Sequence, residues 1–185
     1  MGGRRVFCCA TWLAVLALSC SPPRPASDAE PPGPTTAPRP AATVSGPPLD
    51  FVLDSVQRDA DWAPASEQLR GRRAVILVLT SWDGGSLVLL RTLAPMLRAL
   101  PPDATCLLVA KQPLADRVLA ATLFDAEDTP CLRAMADPTR GRVGDLAKVT
   151  IVPATLVLRA DGRLVGASPG VVTADTVRAA LDAAR

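Results

Sequence analysis

The 185-residue sequence contains no histidine and no tyrosine, and its aromatic content is three Trp and three Phe. Without histidine there is no Ser-His or Cys-His nucleophile pair within the chain, no imidazole metal ligand and no imidazole acid or base. Any chemistry has to rest on cysteine, carboxylates, lysine or backbone dipoles. An excess of one charge is missing too. Twenty basic residues face 18 acidic ones, and Arg4 and Arg5 equal that surplus, so the chain beyond residue 19 is neutral. A neutral surface offers no phosphate-attracting field and speaks against a nucleic-acid partner. No metal-ligand cluster, nucleotide-binding loop or internal repeat is visible, so no metal and no cofactor are expected.

Residues 21–48, "SPPRPASDAEPPGPTTAPRPAATVSGPP", have almost no large apolar side chains and hold ten of the chain's 19 prolines. Such a segment cannot bury enough surface to offset ordering entropy and reads as an extended, disordered tether. At polyproline rise its reach is about 87 Å. A domain of the size that follows has a radius of gyration of about 14 Å. Ahead of the tether, "MGGRRVFCCATWLAVLALSC" is basic, then apolar for about a dozen residues, then small before Cys20. This is the pattern of a secretory signal peptide over residues 1–19, too short for a comfortable membrane span.

Regular patterns begin at Leu49 and run to residue 185, read as one domain. "LDFVLDSV" alternates like a short strand, and "GRRAVILVLTSW" is a continuous apolar run of the central-strand type. "SLVLLRTLAPMLRAL" has helical length, "TCLLVAK" is a second buried strand, and "LADRVLAATLFD" follows with helical spacing of Leu114, Val118, Ala121 and Leu123 or Thr122. "ATLVLRADGRLVG" is a hairpin with Asp161-Gly162 in its turn. "TADTVRAALDAAR" is a closing helix capped by Thr173, with Val177, Ala180, Leu181 and Ala184 on one face. The order β-β-α-β-α-β-β-α predicts an α/β fold, a mixed sheet with helices on both faces.

That order, with its motifs, resembles the TlpA/ResA-like thioredoxins, the membrane-tethered extracytoplasmic branch of the thioredoxin-like fold. The resemblance runs across residues 49–185. It includes the opening Phe-x-Leu strand, "SEQLRGRRAVILVLTSW" leading to Trp82, the "ADPTRG" turn, "VPATLVLRADGRLVG" and the final helix. "LALSC" resembles a bacterial lipobox, which implies lipidation of Cys20; the other reading is an ordinary signal peptide cleaved nearby. By the same resemblance, Ser21 after that cysteine implies sorting to the outer membrane rather than the inner.

The family's Trp-Cys-x-x-Cys is here Trp82-Asp83-Gly84-Gly85-Ser86. Disulfide exchange needs one thiolate to attack and a second thiol to resolve the mixed disulfide, and neither is present in this turn. Arg91 stands where the family's first helix has a proline, and Pro95 comes one turn later. Asp83 suits a helix N-cap, accepting hydrogen bonds from Gly85 or Ser86. A sharper reading makes Asp83 an acid or nucleophile helped by Ser86, and a third makes the turn an anion or peptide contact. The resemblance implies a cis bond at Val152-Pro153 and a peptide-binding groove formed by Trp82, Asp83, Gly84, Gly85, Ser86, Val152 and Pro153.

Cys106 and Cys131 are the remaining candidates for chemistry. They fit two free buried cysteines acting as small apolar residues, a structural disulfide, or a displaced redox pair. The leading expectation is therefore a redox-inactive, membrane-tethered module that binds a protein or peptide in the cell envelope. The alternatives are a periplasmic thiol-disulfide oxidoreductase or thiol peroxidase using Cys106 and Cys131, and a structural accessory domain of an envelope complex.

Overall fold

The computed structural model describes residues 46–56, 64–140 and 143–185. The expected signal peptide, Cys20 and residues 21–45 of the expected tether lie outside the described residues. In chain order the elements are β1 (Asp54–Ser55), β2 (Arg73–Leu79), α1 (Gly84–Arg98), β3 (Ala104–Ala110), α2 (Arg117–Asp125), β4 (Leu132–Met135), β5 (Ala154–Leu158), β6 (Leu164–Pro169) and α3 (Ala174–Ala183). Short 3₁₀ turns occupy Ser66–Leu69, Leu114–Asp116 and Gly144–Lys148.

Every residue of β2 is buried. A strand apolar on both faces is stable only in the middle of a covered sheet, and the six strands are ordered β1-β4-β3-β2-β5-β6. β2 pairs in parallel with β3, placing Val75 opposite Cys106 and Leu79 opposite Ala110, and antiparallel with β5. The mixed sheet is the expected one. The short strand expected over "LDFVLDSV" is reduced to the two residues of β1 and an isolated bridge between Val52 and Ala65. Its alternation is correct nonetheless: Phe51 and Leu53 are buried and Val52 is exposed.

The crossovers β2-α1-β3 and β3-α2-β4 step the same way along the sheet. Right-handed connections therefore place α1 and α2 on the same face. Their buried residues share one core cluster with Val177 and Leu181 of α3. The opposite face, where α-helices were also expected, carries 3₁₀ turns and the N-terminal segment, with Phe51, Leu53, Leu69 and Leu146 packed on Ile76, Val109 and Leu156, because neither crossover helix falls on that side. Arg73 holds α3 to the sheet: its guanidinium donates to the Leu181 carbonyl at 2.8 Å and pairs with Asp103 at 2.7 Å. Thr173 caps α3 as expected, accepting from the Thr176 N–H at 3.3 Å.

Two further expectations are corrected. α2 begins only at Arg117, after a 3₁₀ turn, and buries Ala120, Leu123 and Phe124. Val118, placed on the inner face by a helix counted from Leu114, is 72% exposed. The 3₁₀ turn shifts the helical phase. β4 was not expected as a strand; it is four residues long with Arg133 in its middle, and its partner β3 makes it one.

The 3₁₀ face depends on a close approach. The Asp145 N–H donates to the Asp50 carbonyl at 2.8 Å, and the Asp50 N–H donates to the Asp145 carboxylate at 2.9 Å. Gly144 sits at the crossing with φ +54°, where a Cβ would lie 2.2 Å from the Asp50 carbonyl oxygen and 2.8 Å from Phe51 Cα. Gly71 also has positive φ, +84°, but a Cβ there would meet nothing within 4 Å. Gly71→Ala should cost about 1 kcal/mol, the left-handed penalty alone. Gly144→Ala should cost at least about 3 kcal/mol, because backbone must also move. Equal losses in urea unfolding would contradict the crossing.

Candidate functional site

The turn after β2 is built around α1's unpaired N–H groups. A helix leaves its first N–H groups without intrahelical partners, and a side-chain acceptor just ahead of it satisfies them. Asp83 does this twice, accepting from the Gly85 N–H at 3.2 Å and the Ser86 N–H at 3.0 Å. It also accepts from the Ser86 hydroxyl at 3.1 Å. The Ser86 oxygen in turn accepts from the Thr80 N–H at 3.0 Å, and the residue is fully buried. Both groups are thus committed to the turn. This is the N-cap arrangement expected for Asp83, and it leaves Ser86 closed to any substrate.

Gly85 and Pro153 are brought together. A Cβ on Gly85 would lie 3.4 Å from Pro153 Cδ and 3.1 Å from the Asp83 carboxylate. The Val152-Pro153 peptide is cis, as the resemblance implied. Pro153 is buried, Val152 is partly buried and Gly84 is exposed. On either side of this contact the chain exposes apolar surface, with Trp82 at 62% and Ile151 at 58%. Of the expected groove residues, the structure joins the turn to the cis-proline loop through Gly85 and Pro153 and buries Ser86; Ile151 is an exposed addition next to Val152.

The loops around it are braced by side chains the sequence did not single out. Buried Gln112 accepts from the Ser81 N–H at 2.8 Å and donates to the Asp116 carbonyl at 3.0 Å. Lys111 donates to the Leu146 and Ala147 carbonyls at 3.3 and 3.2 Å, and also to that of Val149. Its ammonium thereby holds the segment that leads to Pro153. Partial burial lowers the Lys111 pKa. Asp137 accepts from the Thr139 hydroxyl at 2.7 Å, the Thr139 N–H at 2.8 Å and the Leu114 N–H at 2.9 Å. The only sequence signal for the first two is that "KQ" ends an apolar strand.

Cys106 and Cys131 are joined by a disulfide, with Cα atoms 4.7 Å apart. The reading of two free apolar cysteines gives way to the bridged one. The bond crosses between neighbouring parallel strands one residue ahead of the Leu107–Leu132 pair. It lies four residues down β3 from Ala110, which is opposite Leu79, so about 13 Å of strand separates it from the Trp82 end. The cysteines are 2% and 8% exposed. No group of three or more His, Cys, Asp or Glu residues that could hold a metal occurs among the described residues.

No protein-family model matches the chain, and no curated protein matches it. Solved structures do. A putative thiol:disulfide interchange protein DsbE from Chlorobium tepidum superposes with a TM-score of 0.57 at 18% identity, over 75% of this chain and 96% of its own. An exposed lipoprotein thioredoxin of Streptococcus pneumoniae gives 0.57 at 20% identity, over 72% and 98%. A secreted Mycobacterium tuberculosis disulfide oxidoreductase homologous to E. coli DsbE gives 0.57 at 17% identity, over 72% and 95%. The fold is thioredoxin-like.

Two outcomes follow from this geometry. Asp83→Ala should lower stability by about 1 kcal/mol, the usual cost of an N-cap, while Asp83→Asn should lose less; identical losses in urea melts would count against the cap. The Thr139 hydroxyl, with the Leu114 and Thr139 N–H groups and Arg140, holds the Asp137 pKa below its ordinary value of 3.8 against the opposing effect of burial. A depressed folded-state pKa gives stability that is present above the unfolded value and lost as pH falls through the folded one. Asp137→Asn should therefore flatten the stability profile below about pH 4. An unchanged acid limb would show that Asp137 carries none of it.

Proposed function

We propose that this protein is an exported, lipid-anchored thioredoxin-fold module that binds a protein or peptide segment at the Trp82–Pro153 surface. The observation that carries the reading is Trp82, a large aromatic left 62% exposed beside a turn that has no thiol. Aromatic side chains of this kind dominate interface energetics when a partner covers them. Asp83, Gly84, Gly85 and Val152 form the rest of the surface, buried Ser86 and Pro153 support it from beneath, and Ile151 extends it. Cys20 is the anchor, residues 21–48 the tether, and the periplasmic face of the outer membrane the location. Among the structural neighbours, one is named an exposed lipoprotein and another a secreted protein, which supports export.

A second reading has its own support. The neighbours named above are thiol–disulfide proteins or thioredoxins, and the chain holds one disulfide among its described residues. Thiol–disulfide oxidoreductase activity through Cys106 and Cys131 fits that company better than a redox-inactive module does. What weighs on the other side is the site. Both cysteines are buried, away from the α1 N-terminus that would lower a thiol's pKa in this fold.

A photo-crosslinking residue placed at 82, and separately at 151, in intact cells separates the two readings. The binding reading expects one defined adduct at both positions that survives Cys106→Ala/Cys131→Ala and disappears when Trp82→Ala is combined with the probe at 151. Loss of that adduct on removing the cysteines, with thiol-dependent turnover abolished by Cys131→Ala, would replace it with the oxidoreductase reading.

A further inference from the structure

At the end of the sheet away from Trp82, a cavity of about 240 Å³ opens between the end of α1 and the start of β3. Cys106 forms part of its wall, together with Leu97 and Leu100, and Pro130 brings in the residue that precedes Cys131. The side chain of Cys106 belongs to the α1-facing core cluster, the same side as the cavity. Arg72 and Arg98 also line it, and no carboxylate does. Arg98 is 3.1 Å from Glu127, which Arg91 also approaches at 3.6 Å, so one carboxylate is shared by two guanidinium groups. Asp103, beside the wall, is engaged by Arg73 at 2.7 Å. Arg72 makes no ion pair among the described residues.

We infer that the Cys106–Cys131 disulfide is opened by a small anionic thiol that enters this Arg72–Arg98 cavity. This deepens the oxidoreductase reading and rests on it. A volume of about 240 Å³ has room for a thiol of a few heavy atoms. The thiolate attacks Cys106 Sγ, a bond forms between the two sulfurs, and Cys131 leaves as a thiolate that takes up a proton. A second thiolate attacks the mixed disulfide, releasing the small disulfide and the Cys106 thiolate. Two small thiols are oxidised to one disulfide, and the protein disulfide is reduced to two thiols. The guanidinium groups raise the local concentration of an anionic attacker and stabilise thiolate in the cavity.

The test uses the full chain with Cys8→Ser, Cys9→Ser and Cys20→Ser. The protein is mixed in low salt with 2-mercaptoethanesulfonate, 2-mercaptoethanol or cysteamine at matched thiolate concentration, and opening is followed by alkylation and intact mass. The expected order is anionic, neutral, cationic, with about tenfold between the extremes. Arg72→Gln should shrink that ratio to about threefold, and Arg72→Lys should keep it. Acid-trapped mixed disulfide should map to Cys106. Equal rates for the three thiols, or an adduct on Cys131, would overturn this inference while leaving the oxidoreductase reading standing. A disulfide that opens only at the rate of unfolding, whatever the thiol concentration, would sink both.

Discussion

The burial of β2 on both faces is the constraint from which the rest of the fold follows. Seven consecutive residues, Arg73–Leu79, are buried. Each apolar side chain among them is worth about 1.5–3 kcal/mol only while its own face stays covered. One face is covered by helices, because right-handed crossovers leave α1 and α2 no other place. The other is covered by short pieces that cannot hold themselves in position. A 3₁₀ turn of four or five residues makes few internal hydrogen bonds, so this face is fastened by side chains: Asp145 to Asp50, Ser66 to Asp50, and Lys111 to the carbonyls of Leu146, Ala147 and Val149. Those fasteners also set the position of the segment entering Pro153. The surface proposed for binding is therefore a by-product of how the second face is closed.

The α1 N-terminus is where a member of this fold draws on the helix dipole. A thiolate there is favoured by the partial positive charge and by free N–H groups. In this chain the same two features are used by Asp83, whose carboxylate takes the Gly85 and Ser86 N–H groups. Ser86 then ties Asp83 to the last residue before the turn through Thr80. An incoming anion would find its donors occupied and a fixed negative charge in the way. The turn is electrostatically closed, and the electrostatics that activate a cysteine elsewhere in the fold serve stability here. What remains available is shape and apolar area, which is why Trp82 rather than Asp83 carries the binding argument.

How much of this was legible in the sequence depended on the range of each signal. The long apolar run from Arg73 to Leu79, the Asp161-Gly162 turn, the Thr173 cap and the Asp83 cap are local patterns, and each matched what the structure shows. The α2 face failed for a local reason as well. A 3₁₀ turn has a different period from an α-helix, so counting from Leu114 rather than Arg117 rotated Val118 inward. β4 failed for a non-local one, since Leu132–Met135 becomes a strand only by lying beside β3. The braces at Lys111, Gln112 and Asp137 are single polar side chains reaching backbone groups far along the chain. No periodicity announces such contacts. The Cys106–Cys131 bond likewise depends on a distance that sequence does not contain.

β3 links the two sites under discussion. Cys106 stands near its beginning, and Lys111 and Gln112 follow its end, about 17 Å further along at strand rise. The disulfide fixes β3 to the segment entering β4, and β4 leads directly to Asp137, which holds the loop at Leu114. The staple at one end therefore belongs to the same framework as the braces at the other, although no sulfur comes near the Trp82 surface. The turn at Trp82–Ser86 has no thiol, and the only bridge among the described residues lies at the opposite end of the sheet. The surface proposed for binding and the disulfide thus stand at opposite ends of β3, so substitutions can test the two proposed readings separately.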